Sequence, residues 1–146
     1  YIQHKNPMAK KRSICNYTAE GRKGLHDNLR VNMKLMHALM SQSCRYRTAE
    51  YADNRISLFS AQWGKCAVTG KEFQVVSDIH CHHIIPRVMG GTDAYGNLVL
   101  ILTPVHRLIH ATQRIVIDYY MRLLNLSNSQ LAKVNMLRIK AGLSQI

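Results

Sequence analysis

The 146-residue sequence predicts an α+β fold, in which a small unit of two strands and one helix lies among longer helices. Two observations support this prediction. Apolar residues recur at three- and four-residue steps toward both ends of the chain, whereas the middle holds short extended runs bounded by glycine and proline. The length suits one compact domain with helical extensions and leaves little room for a second core.

The balance of charge indicates a polyanionic partner. The formal net charge is +12, and residues 1–50 and 51–146 each carry ten Lys and Arg, against three and five acids. A field of this sign over a small protein is typical of nucleic-acid binding, and the alternative is a basic surface that serves solubility. We expect no membrane partner and no secretion, because the sequence has neither a 20-residue apolar span nor a signal peptide.

The four cysteines are separated and form no C-x-x-C pair, which favours a reducing compartment over a disulfide framework (Cys15, Cys44, Cys66, Cys81). We expect Cys66 and Cys81 to be small buried hydrophobes. Because the chain opens on Tyr1, we expect it to be a fragment or one region of a larger protein.

The first half of the chain predicts a basic arm followed by helices. Residues 1–17 have no sustained period and carry Lys10, Lys11 and Arg12, which could contact phosphates; the alternative is a frayed, solvated terminus. Helices are predicted at 18–27 and 29–42, and from about Thr48 or Ala49 to Trp63, with Gly64 as the C-cap of the third. The predicted core face of the second comprises Leu29, Met33, Met36, Leu39 and Met40.

The second half predicts strands and then helices. The T-G-K-E sequence predicts a hairpin between short strands at 66–68 and 73–76. Residues 78–85 should be extended up to Pro86, and 97–102 should form a strand. Thr103 is the expected N-cap of the next helix, with Pro104 at its first position. Helices at 114–124 and 129–142 complete the chain, with Ser127 or Asn128 as a cap and Gly142 at the end.

A cluster of histidines in the middle of the chain predicts a metal site. His106 and His110 are four residues apart and would lie about 6 Å from each other on one helical face. His82 and His83 are adjacent in an extended segment, so their side chains point to opposite sides. One of the two can therefore reach a metal ion while the other remains available as a base. The alternative is that His106 and His110 form a half-exposed polar edge.

The pattern H-H-I-x-P-x(3)-G-G…N-L…T-P-x-H-x-x-x-H resembles the HNH, or ββα-metal, nuclease motif. Its histidine pair and later H-x-x-x-H are similar to those of the nuclease colicins, with one residue fewer between Thr-Pro and the first helix histidine. The resemblance implies a ββα-metal (His-Me finger) core with flanking helices. It also implies that His82, His106 and His110 bind the metal, that His83 is the general base, and that Asn97 holds the loop that orients this base.

The chemistry implied is hydrolysis of DNA phosphodiesters with a divalent ion. Magnesium or manganese is the expected working ion, and three imidazoles would also suit zinc or nickel in a purified sample. Arg87 and Arg107 flank the site and could hold phosphates; the alternative is that they are ordinary surface cations. We expect no structural zinc, because the places of the usual cysteine pairs hold Cys66 with Thr69, and Leu102 with Val105.

The sequence on both sides of this motif resembles the C-terminal part of bacterial group II intron-encoded reverse transcriptase/maturases. The segments that carry the resemblance include EYADNRISLFSAQWGKCAVTGKEF and QLAKVNMLRIKAG, and the likeness covers nearly all of the chain. It implies a maturase tail and DNA-binding segment at 1–47, an endonuclease core at 48–113 and C-terminal helices at 114–146.

In such proteins this domain nicks one DNA strand, and the new 3′ end primes reverse transcription of the intron RNA. The expected partners are DNA, group II intron RNA and a reverse transcriptase region in the same or another polypeptide. The expected location is the bacterial cytoplasm, at the nucleoid. Two alternatives remain open: an inactive nucleic-acid-binding module of a maturase, and a free-standing HNH nuclease.

Overall fold

A computed structural model describes residues 32–42 and 48–146, which form one compact unit with helices and a two-stranded sheet. In chain order the elements are α1 (Met33–Ser41), α2 (Ala49–Ala61), β1 (Ile79–His83), β2 (Leu98–Leu102), α3 (Thr103–His110), α4 (Arg114–Leu124) and α5 (Asn128–Lys140). The predicted α+β class, with a two-strand-and-helix core among helices, is confirmed. The predicted basic arm and the helix at 18–27 lie outside the described residues, and the domain boundaries after residues 47 and 113 stay predictions.

Helix α1 buries only part of the face that the sequence predicted. The helix follows Asn32, whose side chain accepts a hydrogen bond from the amide of Leu35. Leu35 and Leu39 are buried, whereas Met33 and Met40 are 38% and 60% exposed. The predicted core face was therefore correct at Leu39 and wrong at Met33 and Met40. Contact with α2 selects the Leu35 and Leu39 side of this helix, and periodicity alone could not show where α2 lies.

Helix α2 begins as predicted and ends two residues before the predicted position. The Thr48 hydroxyl accepts a hydrogen bond from the amide of Tyr51, as an N-cap does. After Ala61 the backbone enters the left-handed region at Trp63 (φ 58°) and Gly64 (φ 66°). A Cβ added at Gly64 would lie 3.2 Å from the Phe59 ring, so the glycine that closes this helix also gives room to a core side chain.

The predicted strands at 66–68 and 73–76 were wrong, whereas the chain does turn back between them, since the amide of Cys66 donates to the carbonyl of Lys71. An isolated antiparallel bridge joins Lys65 and Glu72, which lie next to these segments. The amide of Ala67 instead donates to the carbonyl of Leu100 in β2. The side-chain amide of Gln62 pairs with both backbone groups of Leu100, at 2.9 and 3.0 Å. A side chain and a loop thus cover the outer edge of β2, where a further strand would otherwise pair.

Strands β1 and β2 pair antiparallel, with Ile79 opposite Leu102 and His83 opposite Leu98. Asn97, predicted as the first strand residue, belongs to a short 3-10 turn before β2. Thr103 is the first residue of α3, and the predicted N-cap position is held by Leu102. The Thr103 hydroxyl donates to the carbonyl of Ser77 and accepts no hydrogen bond from a helix amide. Strand β2 therefore leads directly into α3.

The core lies between the sheet and α3. Helix α3 contacts both strands as well as α4 and α5. The side chains with no exposed surface here are Phe59, Leu100, Ile101, Val105, Leu108, Ile109 and Val134. Cys66 and Cys81 are also buried, as predicted. No helix within the described residues has the length and apolar character needed to cross a bilayer.

The C-terminal helices largely match their predicted positions. Helix α4 spans the predicted residues 114–124. Helix α5 begins at Asn128 after a capping box, in which Ser127 and Gln130 each bond to the backbone of the other. Gly142, predicted to close this helix, has φ 84° two residues beyond its end. Local capping signals were sufficient for these helices.

A buried arginine on α5 satisfies the end of α3. Arg138 is 2% exposed, and its Nη1 donates to the carbonyl oxygens of Leu108, Ile109 and Ala111 at 2.9, 3.1 and 2.7 Å. The last carbonyls of a helix have no partner within the helix, so they need donors from elsewhere. Arg138 therefore holds α3 in place at the end where His110 lies.

We expect Arg138→Met to reduce the free energy of unfolding by at least about 1–3 kcal/mol, the cost of leaving a buried acceptor unsatisfied. Urea unfolding followed by circular dichroism would measure the loss. Arg122→Met, at an exposed position on α4, is the matched control and should change stability by less than about 0.5 kcal/mol. Equal losses in both variants would contradict the capping role.

Candidate functional site

Three histidines from two elements meet at one point. His82 comes from β1, and His106 and His110 come from α3. One ring nitrogen of each lies within 4.8 Å of those of the other two. The ring centroids of His106 and His110 are 4.5 Å apart, as expected for neighbours four residues apart on a helix. The predicted convergence of these three rings is present in the structure, and their role as ligands is a proposal.

The environment of His82 fits a metal ligand. The residue is 2% exposed, and its Nε2 is a buried atom with no hydrogen-bond partner among the described residues. An unsatisfied buried donor or acceptor costs about 1–3 kcal/mol, so such atoms are rare without a reason. Coordination of a metal ion by Nε2 would supply the missing partner, and three imidazoles are a donor set that divalent transition metals accept.

The three rings are held in the neutral form that a metal requires. Burial, followed by the repulsion of the neighbouring His110, lowers the pKa of His82 to about 4. Burial also lowers the pKa of His106 to about 3, with His80 as the next cause. Burial, followed by the positive charge of Arg138, lowers the pKa of His110. A neutral imidazole offers a lone pair, whereas a protonated one repels a cation.

His83 lies on the other face of β1, as the alternation of a strand predicts. Its ring stacks on Tyr51 of α2, with centroids 5.8 Å apart and an interplanar angle of 16°. Its Nε2 is 2.8 Å from Oδ1 of Asp93, which is buried. The ring of the histidine proposed as a base therefore contacts Tyr51 and Asp93 and not the three rings that could hold a metal, although all four histidines line one pocket.

Asn97 ties together the loop between the two strands. Its Oδ1 accepts from the amide of Ile85 at 2.8 Å, and its Nδ2 donates to the carbonyls of Ile85 and Thr92 at 3.1 and 2.8 Å. These are side-chain to backbone contacts of the kind that the sequence predicted for Asn97. A Cβ at Gly91 would lie 1.7 Å from the carbonyl oxygen of Ile85, so this tight loop requires a glycine there.

Two residues of the site were missed by the sequence reasoning. His80 lies two residues before His82 on the same strand face, and its ring stacks on His106 with centroids 3.5 Å apart. Strand alternation could have identified it. Asp93 is a single acid in a loop, and nothing in its sequence context pointed to His83. Its place beside that ring follows only from the fold.

The histidines line one pocket of about 170 Å³, together with the loop after β1: His80, Cys81, His82, His83, Pro86, Arg87, His106 and His110. Arg87 reaches this pocket, with its side chain 51% exposed. Arg107 is exposed on α3 next to His106. A larger groove of about 530 Å³ along α4 includes none of the three converging histidines. Lys10, Lys11 and Arg12 lie outside the described residues.

The neutral histidines predict a loss of stability in acid. In the unfolded chain imidazole has its ordinary pKa of 6.5, whereas in the folded chain the pKa is about 4 for His82 and about 3 for His106. Below pH 6.5 the unfolded state therefore binds more protons, so the free energy of unfolding falls as the pH decreases. Urea unfolding of the metal-free protein between pH 8 and pH 4.5 should show this fall.

In His106→Gln the free energy of unfolding should fall less steeply between pH 8 and pH 4.5, because one of the histidines with a lowered pKa is gone. The pKa of Asp93 lies below its ordinary value of 3.8, because of hydrogen bonds from His83 and then from Thr48, so this carboxyl contributes only at lower pH. Identical pH dependence in the native chain and in His106→Gln would show that the ring is not kept neutral by the fold.

The three-histidine cluster predicts that a divalent ion stabilises the protein. With free Mn²⁺ or Zn²⁺ at about 100 times its Kd, the gain would be about 2.7 kcal/mol. Thermal unfolding with and without the ion should show the shift in the native chain and in His37→Ala, which changes an exposed histidine of α1. His106→Ala should lose most of the shift. A shift of the same size in His106→Ala would exclude this cluster as the binding site.

Comparison with known families identifies the central segment. The family model described as HNH endonuclease matches residues 66–111, which include β1, β2, α3 and the loop before β1. Comparison with curated proteins and with solved structures gives no match. The family indicates a nuclease with a DNA substrate, and such nucleases generally use a divalent metal ion. Residues 66–111 of this chain are therefore an HNH endonuclease domain.

Proposed function

We propose that this chain is a metal-dependent endonuclease that hydrolyses phosphodiesters in DNA, nicks one strand and leaves a 3′-hydroxyl. The observation that carries the proposal is the arrangement of four imidazoles around one strand. Three nitrogens lie within 4.8 Å of one another on one side, and His83 lies on the other side and lines the same pocket. The arrangement offers both candidate metal ligands and a candidate base, which are the two groups that metal-dependent hydrolysis of a phosphodiester uses.

His82, His106 and His110 are the proposed metal ligands. We propose magnesium or manganese as the working ion, and zinc or nickel as ions that a purified sample could carry, because imidazole suits these metals well. A divalent ion bound there would offset the negative charge that develops on the phosphate and on the leaving 3′-oxygen. The burial that keeps these rings neutral also removes the competition from protons near neutral pH.

His83 is the proposed general base, which takes a proton from the attacking water. General-base catalysis of this kind contributes on the order of 10²- to 10⁴-fold. Stacking on Tyr51 and the contact with Asp93 restrict the ring to one orientation. Asn97 contributes indirectly, because its three hydrogen bonds hold the loop that carries Asp93 and follows His83.

Positive charge around the pocket supports a DNA substrate. Arg87 lines the pocket and Arg107 is exposed on α3, so each could contact a phosphate of the substrate. The net charge of +12 would attract DNA in a salt-dependent way. Lys10, Lys11 and Arg12 are proposed to extend this contact along the DNA backbone.

The biological setting that we propose is the mobility of a group II intron. The proposal rests on the likeness of the sequences outside the HNH segment to the C-terminal part of intron-encoded maturases. In that setting the nick supplies the 3′ end that primes reverse transcription of the intron RNA. Intron RNA and a reverse transcriptase region, in the same or another polypeptide, are the proposed partners. A free-standing HNH nuclease is the alternative setting.

A nicking assay on supercoiled plasmid tests the activity. With Mg²⁺ or Mn²⁺ the native chain should convert supercoiled DNA to the open circular form, and a chelator should stop the reaction. His83→Ala should reduce the rate by roughly 10²- to 10⁴-fold, because it removes the general base. His37→Ala, at an exposed position on α1, should nick at the native rate.

The outcomes of this assay separate the proposal from its rival. Absence of metal-dependent product from the native chain would favour an inactive nucleic-acid-binding module. Equal product from the native chain and from His83→Ala would exclude His83 as the base. Linear product from the first turnover would show cleavage of both strands and contradict nicking.

A further inference from the structure

We propose that Asp93 is the positioning residue of the general base. Its carboxylate accepts a hydrogen bond from Nε2–H of His83 and thereby fixes the tautomer in which Nδ1 carries the lone pair that takes the proton. The assignment of His83 as the base rests on the proposed function. The contact between Asp93 and His83 stands on the geometry alone.

The carboxylate of Asp93 is held in place from several directions. Oδ1 lies 2.8 Å from Nε2 of His83, and Oδ2 accepts a hydrogen bond of 2.7 Å from the Thr48 hydroxyl. The backbone carbonyl of Asp93 accepts a hydrogen bond of 2.9 Å from the side chain of Asn54. With its side chain only 5% exposed, Asp93 has little freedom to leave His83.

The charge of the Asp93 carboxyl determines the direction of its hydrogen bond with His83. Hydrogen bonds from His83 and then from Thr48 hold the pKa of Asp93 below its ordinary value, so the carboxyl is ionised at neutral pH. An ionised carboxylate only accepts hydrogen bonds, so the ring nitrogen that faces it must carry a proton. In a neutral imidazole the other nitrogen, Nδ1, is then the acceptor. Nδ1 makes no hydrogen bond to the part of the chain that is described.

Arg87 is the other candidate partner of Asp93, and it is the weaker one. Its Nη1 is 4.0 Å from Oδ1, beyond hydrogen-bond distance, and its side chain is half exposed. An exposed ion pair at this distance is worth little in water. His83 and Thr48 therefore define the orientation of the carboxylate, and Arg87 remains available to the substrate.

The support for the base comes from outside the HNH segment. Thr48, Tyr51 and Asn54 all belong to the first turns of α2 or to its N-cap. Thr48 bonds to the carboxylate, Tyr51 stacks on the His83 ring, and Asn54 bonds to the backbone of Asp93. The start of α2 is thus a platform on which both the base and its positioning residue are held.

The tautomer of His83 can be measured without any activity. Nitrogen NMR of the metal-free chain labelled with ¹⁵N-histidine distinguishes Nε2–H from Nδ1–H, and the loss of one signal in His83→Gln assigns the ring. The native chain should show His83 as Nε2–H at a pH where the ring is neutral. A native ring in the Nδ1–H form would overturn the proposal, whether or not the chain is a nuclease.

Asp93→Asn should reverse this tautomer. The Thr48 oxygen already accepts the amide of Tyr51 and has one proton to donate, which would hold the oxygen of the new amide. The NH₂ group would then face His83, so that Nε2 becomes an acceptor and Nδ1 carries the proton. Asp118→Asn changes a half-exposed acid on α4 that pairs with Arg114, and it is the matched control, in which Nε2–H should persist. An unchanged tautomer in Asp93→Asn would overturn the proposal.

A double-mutant cycle measures the consequence for nicking. Asp93→Asn should lower kcat, with KM for DNA unchanged, by at most the roughly 10²- to 10⁴-fold that the base contributes. In the His83→Ala background the same substitution should have no further effect, because Asp93 acts through His83. An equal loss in both backgrounds would show a purely structural role and overturn the proposal. A chain that nicks nothing at all contradicts the proposed function, and the NMR experiment still tests the contact.

Discussion

The burial of the His82 imidazole is the constraint on which the rest of the site depends. This ring belongs to the fourth of the five residues of β1, and one of its nitrogens has no hydrogen-bond partner in the described chain. Stability alone does not explain a buried imidazole at this position, because an apolar side chain of similar size would avoid the cost of desolvation. The surrounding elements therefore hold the neutral imidazole of His82 beside those of His106 and His110. Pairing of β1 with β2 positions the ring, and the direct entry of β2 into α3 places His106 and His110 opposite it.

Adjacent histidines of β1 have two different surroundings. On one side, burial and mutual repulsion keep three imidazoles uncharged, which is the state in which they can donate lone pairs. On the other side, an ionised carboxylate lies against His83. A carboxylate on the metal side would compete as a ligand, and burial beside His82 would lower the proton affinity of a base. Alternation of side chains along β1 prevents both conflicts over a distance of a single residue.

The HNH segment depends on the helices on either side of it. Before it, α2 supplies the contacts of Thr48 and Tyr51 beneath the proposed base. After it, α5 supplies Arg138, which satisfies the carbonyls at the end of α3 and lowers the pKa of His110 by its charge. A segment with two short strands and one short helix buries little apolar surface by itself. The flanking helices therefore contribute both the core and the orientation of the site.

Local patterns in the sequence were sufficient for everything that depends on near neighbours. The spacing of His106 and His110, the alternation of His82 and His83 and the span of α4 follow from the geometry of a helix or a strand. The tertiary structure alone decided which face of α1 is buried, that residues 66–76 turn back onto β2 without forming strands, and that Asp93 and Arg138 serve the site. These contacts join residues that are distant in the chain. They stabilise the fold by burying apolar surface and by giving buried polar groups a hydrogen-bond partner, and a short stretch of sequence shows neither effect.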